Sequence, residues 1–383
     1  MAFDVASIGL VVARKAYARS LADERDIDPG LVRRSVDALH PRRVRVTVAE
    51  IIEETPSTST LRLVPAGDEP IFPFRAGQFV TVFLSVDGVS TSRAYSISSP
   101  PTRLGHIDIT VRRMPDGFVS KYLASGEREG DVLEISGPGG YFYHEPLVDT
   151  DDLVFLAGGS GITPFMSMIR NAVDLKSDVR IQLIYGSRRP DDAIFWDELA
   201  QTACSEKNFR ANLVVSEPPE EYPGLCGLLD EEMIGGRVGG IDGKTFFMCG
   251  PHAMYGLCSD ALEALGVPAR RIRKEASGPP PDITLVKGWP KAVKPSDVFT
   301  VTVADTRGRI DAAAGEPLLN SLERGGITLD NLCRSGECGV CRAALLDGSV
   351  FMPDTVAARK ADLAWGYIHP CMSYPLSDIT VRL

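Results

Sequence analysis

Four cysteines near the C-terminus constrain this chain more than any other feature. Cys333, Cys338 and Cys341 lie in the segment LCRSGECGVC, Leu332–Cys341, with the spacing C-x4-C-x2-C, and Cys371 follows after 29 intervening residues. Three thiolates in one tight loop and a fourth from elsewhere are the ligand set of a [2Fe–2S] cluster. Gly336 and Gly339 alternate with the ligands, where a loop wrapping an inorganic core needs close backbone approach and permissive φ. Amides turned inward there would hydrogen-bond the sulfurs and tune the potential. A structural zinc site uses paired C-x2-C knuckles, and this chain has one such pair. Disulfides would need an oxidising compartment, of which the sequence carries no sign.

The chain has 383 residues, enough for two or three domains with their own cores, and a formal net charge of −10 that argues against a nucleic-acid partner. No apolar run reaches the ~20 residues of a membrane span, and the start lacks the basic-then-apolar order of a signal peptide. The expectation is a cytoplasmic protein in which Cys204, Cys226, Cys249 and Cys258 are free thiols.

The texture changes four times along the chain. Residues 1–41 read as a helical extension with an excess of arginine and lysine. Residues 42–147 hold six short alternating segments separated by turn signals such as Asp87-Gly88, which predicts a small antiparallel barrel. Residues 148–275 alternate continuous apolar strands (DLVFLAGG, VRIQLIYGS, ANLVVSE, KTFFMC) with helical stretches, which predicts a doubly wound parallel sheet with ligands at the carboxyl ends of its strands. Residues 276–296, with Pro279, Pro280, Pro281, Pro290 and Pro295, read as a linker, semi-rigid where the prolines cluster. Residues 297–383 open with the strand FTVTVAD, hold the cysteine loop and close with DITVRL.

Within these regions, four junctions carry chemistry. In RAYS, at the end of a barrel strand, Tyr95 offers a flat aromatic surface for a flavin, Arg93 a cation for its phosphate and Ser96 a hydrogen-bond donor near N5. In GFVS, Gly117 and Ser120 could receive the flavin phosphate at the start of the helix SKYLAS. In GGSGITP, directly after the strand DLVFLA, Gly159, Gly161 and Thr163 suit a pyrophosphate brought close to backbone at a helix N-terminus. In CGPHAM, Cys249 ends a strand where its sulfur could lie beside a nicotinamide. It has no His–Asx pair to make it a nucleophile. Glu275, after a basic run, reads equally as a surface acid or an active-site residue.

These four motifs, in this order, resemble the ferredoxin–NADP reductase superfamily. Together with a C-terminal plant-type ferredoxin domain, roughly residues 42–383 are similar to reductase components of multicomponent oxygenases and to the reductase of hybrid-cluster protein. The resemblance implies a multidomain fold: an antiparallel β-barrel flavin domain, an α/β doubly wound nucleotide domain and an α+β, β-grasp-like [2Fe–2S] domain. It implies that Arg93, Tyr95 and Ser96 contact the flavin, and that Gly117 and Ser120 approach its phosphates. Gly159, Gly161 and Thr163 would line the nicotinamide nucleotide site, with Cys249 beside the hydride-transfer position and Glu275 near the flavin. The family often has an aromatic two residues beyond this acid, where this chain has Ser277.

Electron counting then sets the direction. A nicotinamide delivers two electrons at once, a [2Fe–2S] cluster accepts one, and a flavin converts between them. Electrons should therefore run from NADH through flavin and cluster to a separate acceptor protein, a terminal oxygenase or demethylase. A reductase for a hybrid-cluster or corrinoid protein, or a redox sensor without turnover, are the alternatives. Glu217, after the strand ANLVV, would bond a ribose hydroxyl and repel a 2′-phosphate, which favours NADH, while Arg188 and Arg189 keep NADPH open. RAYSISSPP favours FAD, with FMN still open.

Overall fold

The computed structural model describes residues 43–383 except 68, 69, 116, 126, 127, 276, 277, 355 and 357. The helix expected over residues 1–41 and the position of Ser277 lie outside the described residues. Arg43–Leu383 forms one compact unit.

Six strands build the first region: β1 (Val44–Thr55), β2 (Thr58–Pro65), β3 (Phe79–Val86), β4 (Val89–Ser96), β5 (Ile107–Arg112) and β6 (Val132–Ile135). Their order is β4-β3-β6-β1-β2-β5 and every pairing is antiparallel. An antiparallel bridge from Ile97 to Ile109 joins the end of β4 to β5 and closes the sheet into a barrel. Alternation aims Val46, Val48, Leu61, Leu63, Val80, Val82, Ile107 and Ile109 into one core. The short helix α1 (Phe118–Leu123) plugs that core with Val119 and Leu123.

The second region is a parallel sheet of β7 (Asp152–Gly158), β8 (Arg180–Ser187), β9 (Phe209–Val215), β10 (Leu225–Cys226), β11 (Thr245–Cys249) and β12 (Ile272–Lys274), ordered β10-β9-β8-β7-β11-β12. Helices α2 (Ile162–Asp174) and α3 (Trp196–Ser205) contribute to one buried cluster, and α4 (Glu231–Val238) and α5 (His252–Ala264) to the other. A sheet covered on both faces explains the continuous apolar strands, since neither side of β7 meets water. The chain steps outward from β7 to β10 and then crosses back to β11, so the strand order reverses between β7 and β11. That switch point is where an open α/β sheet leaves a crevice.

The third region is a five-stranded sheet, order β14-β13-β19-β15-β17, built from β13 (Val298–Val303), β14 (Gly308–Ala313), β15 (Ala343–Asp347), β17 (Tyr367–Ile368) and β19 (Ile379–Arg382). The two-stranded antiparallel ladder of β16 (Val350–Phe351) and β18 (Tyr374–Pro375) is separate from it, and α6 (Leu318–Arg324) packs Leu318 and Leu322 onto the sheet. A short helix, α7 (Lys360–Ala364), precedes β17.

The proline-rich stretch is more ordered than its composition suggests. Ile283 and Trp289 are buried with Ala314 and Tyr374, and the Trp289 ring meets Phe351 and Tyr374 edge-on at 5.4 and 6.2 Å. From Ile283 onward the segment packs as part of the third region. No helix among the described residues is long and apolar enough to cross a membrane.

Candidate active site

The cysteine loop spans α6 to β15 and is folded around its own sulfurs. Cys333, Cys341 and Cys371 are buried and Cys338 is half-buried. The amides of Ser335 and Cys338 each donate to Cys333 Sγ at 3.4 Å, and Val340 N donates to Cys338 Sγ at 3.5 Å. The Cys333 sulfur also accepts from the Cys338 and Cys371 thiols, which holds Cys333 well below the ordinary thiol range. Cys338 and Cys371 are pushed up in return. Gly336 has φ +81°, and a Cβ there would meet Val356 Cγ1 at 2.8 Å, so both space and conformation demand glycine. At Gly339 the nearest atom would be 3.8 Å away, and only its φ of +69° makes the demand.

The donor set suits the group. Four soft thiols in an apolar wall of Leu319, Met372, Leu329 and Val356 match iron–sulfur chemistry. Among the described residues no three His, Cys, Asp or Glu converge on a point that would hold a single metal ion. A binuclear cluster, with two cysteines per iron, needs no such convergence. His369, which no spacing rule singled out, supports the loop from behind. Its Nδ1 lies 2.9 Å from the Gly336 carbonyl, and its buried Nε2 faces Asp362 Oδ2 at 3.9 Å.

Gly159, Gly161 and Thr163 do lie at the switch point. A Cβ on Gly161 would sit 2.1 Å from the Cys249 carbonyl oxygen and 2.6 Å from Gly250 N, so the turns after β7 and β11 touch backbone to backbone. Gly158 is equally closed by Met254 Sδ and Pro251. Thr163 Oγ1 donates to the Ser160 carbonyl at 2.8 Å, tightening the turn and keeping only acceptor capacity. Tyr185 donates to the Gly159 carbonyl at 3.0 Å. Arg112, from the barrel, reaches over Gly159: its Nη1 would lie 2.7 Å from a Cβ there, and its Nη2 is 2.7 Å from Asp192 Oδ2. Sequence reading missed Arg112 because its partner is in another region.

Cys249 and Glu275 come together through strand pairing. β12 runs beside β11, so Glu275 N donates to the Met248 carbonyl at 3.0 Å. Tyr255 Oη accepts from Gly250 N at 3.4 Å and donates to the Glu275 carbonyl at 2.6 Å. Burial first, and Glu275 second, push the Cys249 thiol well above its usual range, so it stays neutral. Burial, then the charges of Glu337 and Cys333 in the cluster loop, raise Glu275 as well. The charge state of this one carboxyl therefore answers to burial beside β11 and to charges in the cysteine loop.

On the barrel, Arg93 is half-buried and bonds only neutral oxygens, Thr91 Oγ1 at 2.8 Å and the Ser92 carbonyl at 2.6 Å. Burial and then Arg334 lower it to about 10. A half-buried cation lacking a carboxylate in ion-pair contact among the described residues is what a phosphate would complete. Burial pushes the Tyr95 phenol up to about 12, so it presents a neutral ring, and Ser96 ends β4 half-buried. Ser120 sits differently from the expectation of a phosphate held at the helix start. Helix α1 is only six residues long, and Ser120 Oγ accepts from Met114 N at 3.1 Å, closing a turn for which Gly117 must lack a Cβ. Glu217 and Arg188, expected to favour rival cofactors, instead bond each other at 3.0 and 3.1 Å between the ends of β8 and β9. A cavity of about 360 Å³ lined by Phe74, Tyr143, Leu153, Met168 and Ile181 lies at the opposite, amino end of the sheet and is no part of this site.

Three family models match successive parts of the chain. Residues 45–144 match the oxidoreductase FAD-binding domain family, 155–260 the oxidoreductase NAD-binding domain family, and 301–376 the 2Fe-2S iron-sulfur cluster binding domain family. The glycine betaine monooxygenase reductase subunit of Pseudomonas aeruginosa is 31% identical over 349 residues, covering 88% of this chain and 94% of the relative. The chain belongs to the ferredoxin–NADP reductase superfamily. Within that superfamily it is a flavin- and [2Fe–2S]-dependent oxidoreductase. NADH oxidoreductase HCR of Escherichia coli K12 is 30% identical, covering 88% of this chain and 97% of the relative. Among solved structures, phthalate dioxygenase reductase shares the fold at a TM-score of 0.66 and 22% identity, covering 89% of this chain and 98% of its own. This superfamily member thus carries all three regions of a reductase in one chain.

Proposed function

We propose that this reductase takes electron pairs from NADH at the β7/β11 crevice and passes them singly, through flavin and cluster, to a separate terminal oxygenase. The observation that carries the reading is the seating of the cluster loop on the barrel, where Thr81 Oγ1 donates at 2.7 Å to the carbonyl of Leu332, the residue before Cys333. The relatives support the acceptor class: they include a glycine betaine monooxygenase reductase, a component of 1,2-phenylacetyl-CoA epoxidase, and the ferredoxin reductase component of 3-ketosteroid-9-alpha-monooxygenase. The similarity to NADH oxidoreductase HCR supports a second reading with an acceptor that is not an oxygenase.

In the proposed division of labour, residues 42–147 hold FAD, 148–275 hold NADH, 276–296 join them to residues 297–383, and the last of these hold the cluster. Bound flavin accepts an electron pair and releases electrons one at a time, chemistry no side chain supplies. Arg93 neutralises the flavin phosphate, Tyr95 covers the ring and Ser96 donates to its edge. Gly117 and Ser120 shape the turn beside the phosphates. Gly159 and Gly161 bring backbone to the nucleotide pyrophosphate, Thr163 holds their turn, and Glu217 bonds the ribose. Cys249 fills the floor of the nicotinamide pocket as a neutral thiol, and Glu275 retains a proton between the two centres. Cys333, Cys338, Cys341 and Cys371 bind the cluster, whose exposed side at Glu337 and Val340 faces the acceptor.

Stopped-flow reduction tests this order. In Cys371→Ser, NADH should still bleach the flavin, while the cluster's visible absorbance and reduction of a one-electron protein acceptor disappear. Undiminished acceptor reduction without the cluster would sink the proposal.

A further inference from the structure

The mechanism above leaves unused a buried polar network between the third region and the barrel. Arg334, directly after Cys333, has φ +53° and is buried, as is Glu323 on α6, and the two form an ion pair. Both reach into the barrel. Thr91 Oγ1 donates to Glu323 Oε2 at 2.8 Å and accepts from Arg334 Nη2 at 3.3 Å and from Arg93 Nη1 at 2.8 Å. Ser92 Oγ donates to Asn331 Oδ1 and accepts from Arg334 Nε at 3.3 Å. Arg334 Nη1 donates to Asn320 Oδ1 at 3.0 Å, and one strand over, Thr81 Oγ1 donates to the Leu332 carbonyl at 2.7 Å.

We infer that Arg334, Glu323, Thr91 and Ser92 form a latch that fixes the cluster loop on barrel strands β3 and β4, making them positioning residues for flavin-to-cluster electron transfer. The Thr91 hydroxyl is saturated, with one donation and two acceptances, so valine, of the same shape but without a hydroxyl, cannot complete the set. A buried ion pair contributes little net stability, because desolvation offsets attraction, but separating its partners from their hydrogen bonds is costly. Such a network selects one docked arrangement over its neighbours. Its position matters because β4 carries Arg93 and Tyr95 two and four residues beyond Thr91, while Asn331 and Leu332 immediately precede the ligand Cys333. The network therefore joins the flavin strand, two residues before Arg93, to the residues on either side of Cys333. The left-handed backbone at Arg334, costly for a non-glycine residue, turns its guanidinium into this interface.

The role rests on the electron route proposed above, and the test separates the two. The variants are Thr91→Val and Ser92→Ala, with Thr91→Ser as the conservative rescue, in the full holoprotein with flavin and iron content measured. Losing a buried hydrogen bond to a charged group shifts the opening equilibrium about tenfold or more. Amide exchange in residues 329–336 and β4 should rise by that factor, with the β7–β9 amides unchanged. Flavin reduction by NADH should stay within about twofold of wild type while cluster reduction slows several-fold, and Thr91→Ser should restore both. Unchanged exchange in both variants would overturn the latch. Raised exchange with unchanged cluster reduction would overturn its positioning role. A parallel fall of both electron steps would do the same.

Discussion

Removing the carboxylate at residue 217 should convert this reductase toward NADPH. Arg188 and Glu217 bond through two contacts of 3.0 and 3.1 Å, with side chains 72% and 50% exposed. An exposed pair of this kind contributes only about 0–1 kcal/mol to stability, so Glu217→Gln should fold normally. Its effect on a 2′-phosphate is larger. The carboxylate repels the phosphate and occupies the guanidinium that would otherwise bind it. Relieving a near-surface repulsion gives about 1 kcal/mol, and a freed charge-assisted arginine–phosphate contact about 1.5 more. Together, about 2–3 kcal/mol corresponds to roughly 30- to 150-fold in kcat/KM for NADPH. NADH loses a ribose bond and should fall about fivefold to tenfold. The assay is NADH- and NADPH-dependent dye reduction, comparing kcat/KM ratios for wild type, Glu217→Gln and Arg188→Ala/Glu217→Gln. The double variant should lose most of the NADPH gain. A ratio that moves less than about threefold in Glu217→Gln would show that the pair does not face the ribose.

Three further outcomes are expected. Gly161→Ala places a methyl 2.1 Å from the Cys249 carbonyl oxygen, so it should separate the two turns, raise KM for NADH at least tenfold and lower the melting temperature, with costs of about 1–3 kcal/mol for such overpacking; normal NADH kinetics would contradict the packing. Glu275 is raised above its usual value of 4.5, so the folded state keeps a proton that the unfolded chain has lost. Its burial therefore costs stability increasingly as pH rises from about 4.5 towards the folded value. The melting temperature of Glu275→Gln relative to wild type should climb across that window, and a pH-independent difference would refute the assignment. Trp289→Ala removes the ring packed on Phe351 and Tyr374 and should cost about 3 kcal/mol or more, read as earlier loss of cluster absorbance in denaturant; an unchanged midpoint would mean that the proline-rich segment is only a tether.

What sequence determined here is local. The period-two alternation of β1 to β6, the continuous apolar runs of β7, β8, β9 and β11, and the C-x4-C-x2-C spacing each express a constraint a few residues long. The kinds of region and the chemistry of the cluster loop could therefore be read without coordinates. Short elements such as β10, β12 and α4 escaped, because two to eight residues of mixed polarity carry no period.

Tertiary structure alone decided how distant positions meet. β12 pairs with β11 across the helix α5, and that register puts Glu275 beside Cys249. The docking of regions brings Arg112 over Gly159 and seats Arg334 on Thr91, and the pairing of β8 with β9 binds Arg188 to Glu217, contacts between residues 29 to 243 positions apart. Composition marked residues 276–296 as a linker, yet Trp289 finds an aromatic pocket that prolines cannot reveal. The physical reason is the same each time. Secondary structure and ligand loops follow from neighbours in sequence, whereas burial, ion pairing and pKa depend on which surfaces the folded chain brings together.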